Sequence, residues 1–136
     1  MIQGQGNNPS SYASIKELYA FHHIPGPCKR EMECEGKIAR VKGYIDYQNV
    51  FDKKSYPQLP YEKFKILDEY GNTLEVWAVS AENSKLFEKI YHHNKVFPGK
   101  MAFIKGMIVG FDMPVMGRCH RGIKINIEGE GDIFFE

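Results

Sequence analysis

The chain has 136 residues and a formal net charge of +1, with 43% hydrophobic and 26% charged residues. That length suits one domain with a real core and no need of a disulfide scaffold, and the composition is that of an ordinary globular protein. Excluded are the basic excess of a strongly cationic nucleic-acid binder, a membrane-spanning helix of about 20 apolar residues, and a signal peptide within the polar start MIQGQGNNPSSY.

Residues 1–10 read as a flexible tail, and 11–136 as a single domain. A tether-like start also suits a protein whose signal or lipid anchor lies upstream. Such a segment would place the domain outside the cytoplasm; without one it belongs inside. In Ser11–Phe21, Tyr12, Ile15, Leu18 and Tyr19 fall near helical spacing behind Ser11 or Ser14 as cap, which predicts a short amphipathic helix. Pro25, Gly26 and Pro27 make His22–Glu35 a loop.

Strands follow. Lys37–Tyr47 alternates, with Ala39, Val41, Gly43 and Ile45 on one face, and its interior glycine predicts a bulge or sharp bend. Gln48–Pro60 is a loop with Pro57 and Pro60. Tyr61–Asp68 and Thr73–Val79 form a hairpin. Its core face holds Phe64, Ile66, Leu74, Val76 and Ala78, and Glu75, Trp77 and Val79 lie opposite. Ser80–His92 returns to helical spacing through Leu86, Phe87 and Ile90, with Ser80 as cap. Lys100–Phe111 is a strand with Gly106 and Gly110 inside it. Asp112–His120 is a loop, Arg121–Gly129 a last strand, and Ile133–Phe135 an end that folds back.

The predicted architecture is therefore mainly β: five strands, a helix between the third and fourth, and a short N-terminal helix. That is the order of the OB-fold, a five-stranded Greek-key barrel. Its first and fourth strands must coil sharply, and those are the strands with interior glycines. The segments GKIARVKGYID, FKILDEYGNTLEVWAV and FIKGMIVGFD, in that order, resemble OB-fold domains of the nucleic-acid-binding superfamily. They also look like small bacterial OB-fold proteins of the tRNA-anticodon-like group, some of them secreted or lipid-anchored. The pattern G-K-x-x-x-V-x-G and the hairpin D-x-x-G-N-x-L-x-V carry the resemblance, which spans about Glu35 to Glu128.

The resemblance implies a binding face on strands two and three, flanked by the loops between strands one and two and between strands four and five. The first loop holds Phe51, Lys53, Lys54 and Tyr56, and the second Met113, Met116, Arg118 and His120. Lys63, Lys65, Trp77, Arg121 and Lys124 are the strand candidates. The chain carries seven Lys/Arg against three acids from Lys37 to Lys65, and five against one from Lys100 to Lys124. The fold would bring these stretches to one side. Cations along a backbone and rings under bases are what single-stranded DNA or RNA requires, so an oligonucleotide is the first expected partner. A protein, peptide or small ligand on the same face is the alternative, because a lone tryptophan also serves as packing.

Other constellations carry less. His22, His23, Cys28 and Cys34 offer zinc-type ligands, but five residues separate the two cysteines where tight zinc motifs have two to four. No metal and no cofactor are expected. The cysteines read as three thiols, or as one Cys28–Cys34 bridge in an oxidising compartment. His92 and His93 close a helix, where they suit its C-terminal end. Cys119 and His120 would point to opposite faces of a strand and so do not make a nucleophile–base pair. NKVFPGK lacks the first glycine of a phosphate loop, and Met101 stands where Ser or Thr is needed. With no catalytic motif in the chain, the expectation is a non-enzymatic binding module.

Overall fold

The computed structural model describes residues 11–22, 34–79, 84–96 and 98–136. The expected tail over 1–10, the proline-containing loop over 23–33, the His23 and Cys28 positions of the zinc set, and the Ser80 cap lie outside the described residues.

The elements in chain order are β1 (Ala13–Ser14), α1 (Ile15–His22), β2 (Ile38–Phe51), β3 (Glu62–Leu67) and β4 (Thr73–Ala78). After them come α2 (Ser84–Val96), β5 (Ala102–Val115), β6 (Arg118–Ile127), a 3-10 turn (Glu130–Asp132) and β7 (Ile133–Phe135). Seven strands form one sheet in the order β1-β2-β3-β4-β6-β5-β7, and a further pairing of β2 with β5 bends it into a ring. The ring is thinnest between β4 and β6, which run parallel over only Val76–Ala78 and Ile125–Ile127.

The five-strand expectation is corrected to seven. Ala13 and Ser14 pair in parallel with Val41 and Lys42, so a short strand precedes the first helix. Ile133–Phe135 pairs with Ala102–Ile104. The helix placement shifts accordingly: α1 lies between the first and second strands, and α2 between the fourth and fifth. Ring contacts made by so few residues carry little periodicity, which is why spacing does not reveal them. The two additions are joined by rings: Phe103 and Phe134 stack at 4.8 Å, and Tyr12 meets each edge-on at 5.5 Å.

Local chemistry sets the boundaries. Ser14 Oγ accepts from the Glu17 N–H at 3.0 Å, and Glu17 accepts from the Ser14 N–H, a reciprocal capping box that starts α1. Leu86, Phe87 and Ile90 of α2 enter the core, as their spacing predicts. The β3–β4 turn is tied by Asp68, which accepts from the N–H groups of Tyr70 and Asn72 and from the Asn72 amide, all at 2.9 Å. Burial works against its charge, but those bonds prevail and hold its carboxyl below the usual range.

Two loop boundaries also change. Gln48 to Phe51 continue β2 rather than opening the loop expected over Gln48–Pro60. Asp112–His120 is not a loop: β5 and β6 stay paired from Asp112↔Arg121 to Val115↔Arg118. They turn on Met116 and Gly117, both with positive φ, which is the geometry of a tight hairpin turn. The result is a projecting two-stranded arm whose tip, Met116, is 98% exposed. Cys119 in this arm is disulfide-bonded and Cys34 is a buried cysteine. A bridge at Cys119 leaves neither three thiols nor a separate Cys28–Cys34 bridge among the chain's three cysteines, which corrects both cysteine expectations. The bulge expected at Gly43 lies further on, where the β2–β3 register shifts between Asp46 and Val50. Gly43 itself marks the point where β2 leaves β5 for β3.

Gly106 is where the ring admits no side chain. A Cβ there would stand 2.5 Å from the Asn126 carbonyl oxygen and 2.5 Å from Ile125 Cγ2. Backbone cannot yield as a flexible side chain does, so Gly106→Ala is expected to destabilise by about 1–3 kcal/mol. Thermal unfolding followed by circular dichroism checks this. Gly129→Ala, where a methyl would touch nothing within 4 Å, should stay within about 0.5 kcal/mol.

Candidate functional site

The expected second and third strands are β3 and β4, and strict alternation divides them into two faces. Phe64, Ile66, Leu74, Val76 and Ala78 are buried in the core, while Lys63, Lys65, Glu75 and Trp77 are half-buried outside it. Lys63 lies directly across from Trp77, and Lys65 from Glu75. On the other flank Lys63 pairs with Phe51 of β2. Lys124 of β6 reaches the same face beyond β4.

Trp77 is held from several sides. Tyr61 stacks on it with ring centroids 4.2 Å apart and planes 28° from parallel. The Lys124 ammonium sits 2.7 Å from its centroid, and 6.0 Å from that of Tyr61. The angle at Trp77 is therefore obtuse, and the lysine and the tyrosine approach the indole from different sides. The indole N–H donates to Glu75 Oε1 at 2.6 Å. Lys63 Nζ stands 5.7 Å from the rings of both Trp77 and Phe51, and Phe51 contacts Tyr56 at 5.2 Å. Rings and cations thus alternate across the face, each ammonium within the range of a cation–π attraction. Burial pushes the Lys124 pKa down; Glu75 partly opposes that and Lys63 adds to it.

Phe51, Lys63, Lys65, Trp77 and Lys124 are brought together. Tyr56 joins them through Phe51, and Lys53 and Lys54 lie in the β2–β3 connection over 52–61. There the Lys53 N–H donates to Glu62 Oε2 at 2.8 Å, and Tyr91 donates to Asp52 at 2.9 Å. Burial, then this bond to Asp52, raises the Tyr91 hydroxyl to about 12. Arg118 is at the tip of the arm, exposed with Met113, Met116 and His120. Arg121 does not join the face. It is three positions from Lys124 and so points the other way, with its guanidinium held by Glu35 at 2.7 Å and Asp112 at 2.8 Å. Those carboxylates raise its pKa further. Sequence reasoning missed Tyr61, although it alternates with Lys63 and Lys65, and missed Asn49, which only the β2 bulge brings to the face.

A shallow cleft of about 200 Å³ opens on this surface, lined by Asn49, Phe51, Lys63, Phe64, Lys65 and Glu75. Among the described residues no group of three or more His, Cys, Asp or Glu side chains could hold a metal ion, and no helix is long and apolar enough to cross a membrane.

No protein-family model matches the chain, and no curated protein does. Two solved structures are similar. One is described as OBody NL8 bound to hen egg-white lysozyme: 16% identity, a TM-score of 0.48, and coverage of 74% of this chain and 93% of that one. The other, OBody AM3L09 bound to hen egg-white lysozyme, has 15% identity, the same TM-score of 0.48, and coverage of 75% and 83%.

The buried ammonium over Trp77 has a measurable consequence. Because the folded pKa of Lys124 lies below the ordinary value of 10.5, the unfolded chain holds more protons between the two values. Stability from this group therefore rises with pH through that alkaline window, and its cost is fully present below it. Trp77 emission should titrate with a midpoint below 10.5, and Lys124→Met should abolish that transition. An unchanged transition in the variant would assign it to other groups.

Proposed function

We propose that this chain is a non-enzymatic binding module of the OB-fold type, and that its β3–β4 face takes single-stranded nucleic acid. The ring order β2-β3-β4-β6-β5, returning to β2, supports the fold assignment. That order is what a Greek-key barrel with one parallel contact in its ring would have, and binding in that architecture falls on the equivalents of β3 and β4. One observation carries the ligand reading. Phe51, Lys63, Trp77 and Lys124 alternate ring and cation over neighbouring strands, and Tyr61 stacks on Trp77. Bases stack on rings irrespective of sequence, for about 1–3 kcal/mol each, while ammonium groups meet the phosphates. With Tyr61 on one side of Trp77 and Lys124 on another, Phe51 and the outer side of Tyr61 are the surfaces left for bases.

A second reading, a protein or peptide partner, draws on the arm. Met113, Val115 and Met116 are exposed apolar groups at its end, and a disulfide at Cys119 is at home in an oxidising compartment. In that reading the domain works outside the cytoplasm.

Fluorescence anisotropy with labelled single-stranded DNA and RNA at low and moderate salt separates the two. Binding is expected at low salt, weakening as salt rises with a log–log slope of about −2 for three phosphate contacts. Lys63→Ala should weaken it and flatten the slope by about 0.7, whereas Arg121→Ala should change neither. Absence of binding at low salt would sink the nucleic-acid reading.

A further inference from the structure

Glu75 is an acid in the middle of a cationic face. A negative charge there lowers the attraction for phosphate, the largest sequence-independent contribution to binding. Its partner Lys65 stands directly across the ladder, yet among the described residues the two form no ion pair. One carboxylate oxygen accepts the Trp77 N–H at 2.6 Å. The other has no hydrogen bond among the described residues, and Glu75 borders the cleft that Lys65 and Asn49 also line. Asn49 is oriented by its own amide, which donates to Asp46 Oδ2 at 2.7 Å. Its carbonyl oxygen is thereby the end left for a ligand.

We propose that Glu75 reads one base. The cleft takes a nucleobase with an exocyclic amino group and a carbonyl on its pairing edge, guanine or cytosine, in preference to adenine, thymine or uracil. This rests on the reading of the face as a single-strand site. A carboxylate accepts from an amino group, as in acid contacts to the cytosine amine, and the adjacent Lys65 ammonium donates to a carbonyl. Guanine and cytosine offer both groups. Adenine has no carbonyl, and thymine and uracil have no amino group. Phe51, with Lys63 Nζ 5.7 Å from its ring, supplies the apolar wall. At about 200 Å³ the space falls below the roughly 300 Å³ of the smaller drug-sized pockets, which suits one planar base. Lysines alone would position a strand without reading it.

Glu75→Gln isolates this role. Glutamine keeps a carbonyl acceptor for the Trp77 N–H and turns the other oxygen into a donor. Affinities are measured for strands of about 12 nucleotides: oligo-dC, oligo-dT, oligo-dA, and a thymine strand with isolated guanines. An unchanged far-ultraviolet circular dichroism spectrum confirms that the variant is folded. The wild-type chain should prefer the cytosine- and guanine-containing strands roughly tenfold. The variant should lose that preference and gain affinity for oligo-dT. If no strand binds the wild-type chain, the reading of the face itself is overturned. If all four bind it equally, or Glu75→Gln strengthens all four by one factor, base reading alone is overturned and Glu75 only positions Trp77.

Discussion

The pairing of β2 with β5 is the contact on which the rest depends. Six residues of β2, Ile38 to Gly43, run antiparallel to Met107 back to Ala102. Both strands are 14 residues long, and each serves two partners of the ring in succession. β2 passes from β5 to β3 at Gly43, and β5 passes from β2 to β6 at Met107. A sheet that closes on itself must coil at such points. Gly106 permits it by letting the Asn126 backbone approach where a methyl would collide. Without this closure β3 and β4 would belong to an open sheet; within the ring, the parallel β4–β6 pairing brings Lys124 of β6 over Trp77 of β4.

That closure explains which parts of the fold are legible in the residue order. Alternation in EKFKIL and TLEVWA fixes the hairpin and both its faces, because one face is fully buried and the other is not. The interior glycines point to the two coiled strands for a reason the structure bears out. Legibility fails where few residues pair. Ala13–Ser14 and Ile133–Phe135 are too short to show a period, and aromatic contacts among Tyr12, Phe103 and Phe134 hold them in place. The arm fails for another reason: Pro114 and Gly117 resemble loop punctuation, yet the strands remain paired up to Met116 and Gly117.

The candidate face shows the same division. Lys63, Lys65 and Trp77 are placed correctly by period-two spacing within one hairpin. Arg121 and Lys124 look alike in composition but lie on opposite faces of β6, and Glu35 and Asp112 claim the arginine. Tertiary proximity also makes Trp77 less a bare platform than a fixed wall, packed by Tyr61 and Lys124 and bonded to Glu75. Rigid rings cost little ordering entropy when a ligand arrives, so a face assembled in advance favours binding even where the net charge is close to zero.

The most direct test of that face is the single indole N–H resonance of Trp77 in a proton–nitrogen correlation spectrum during titration with single-stranded oligonucleotide. It has one source, since the chain has one tryptophan, and its hydrogen bond to Glu75 makes it sensitive to anything that enters beside it. The account predicts a saturable shift of this resonance, with the amides of Phe51, Lys63 and Lys65 moving at the same midpoint. A stationary indole resonance, with shifts confined to Met113–Arg118 of the arm, would contradict it.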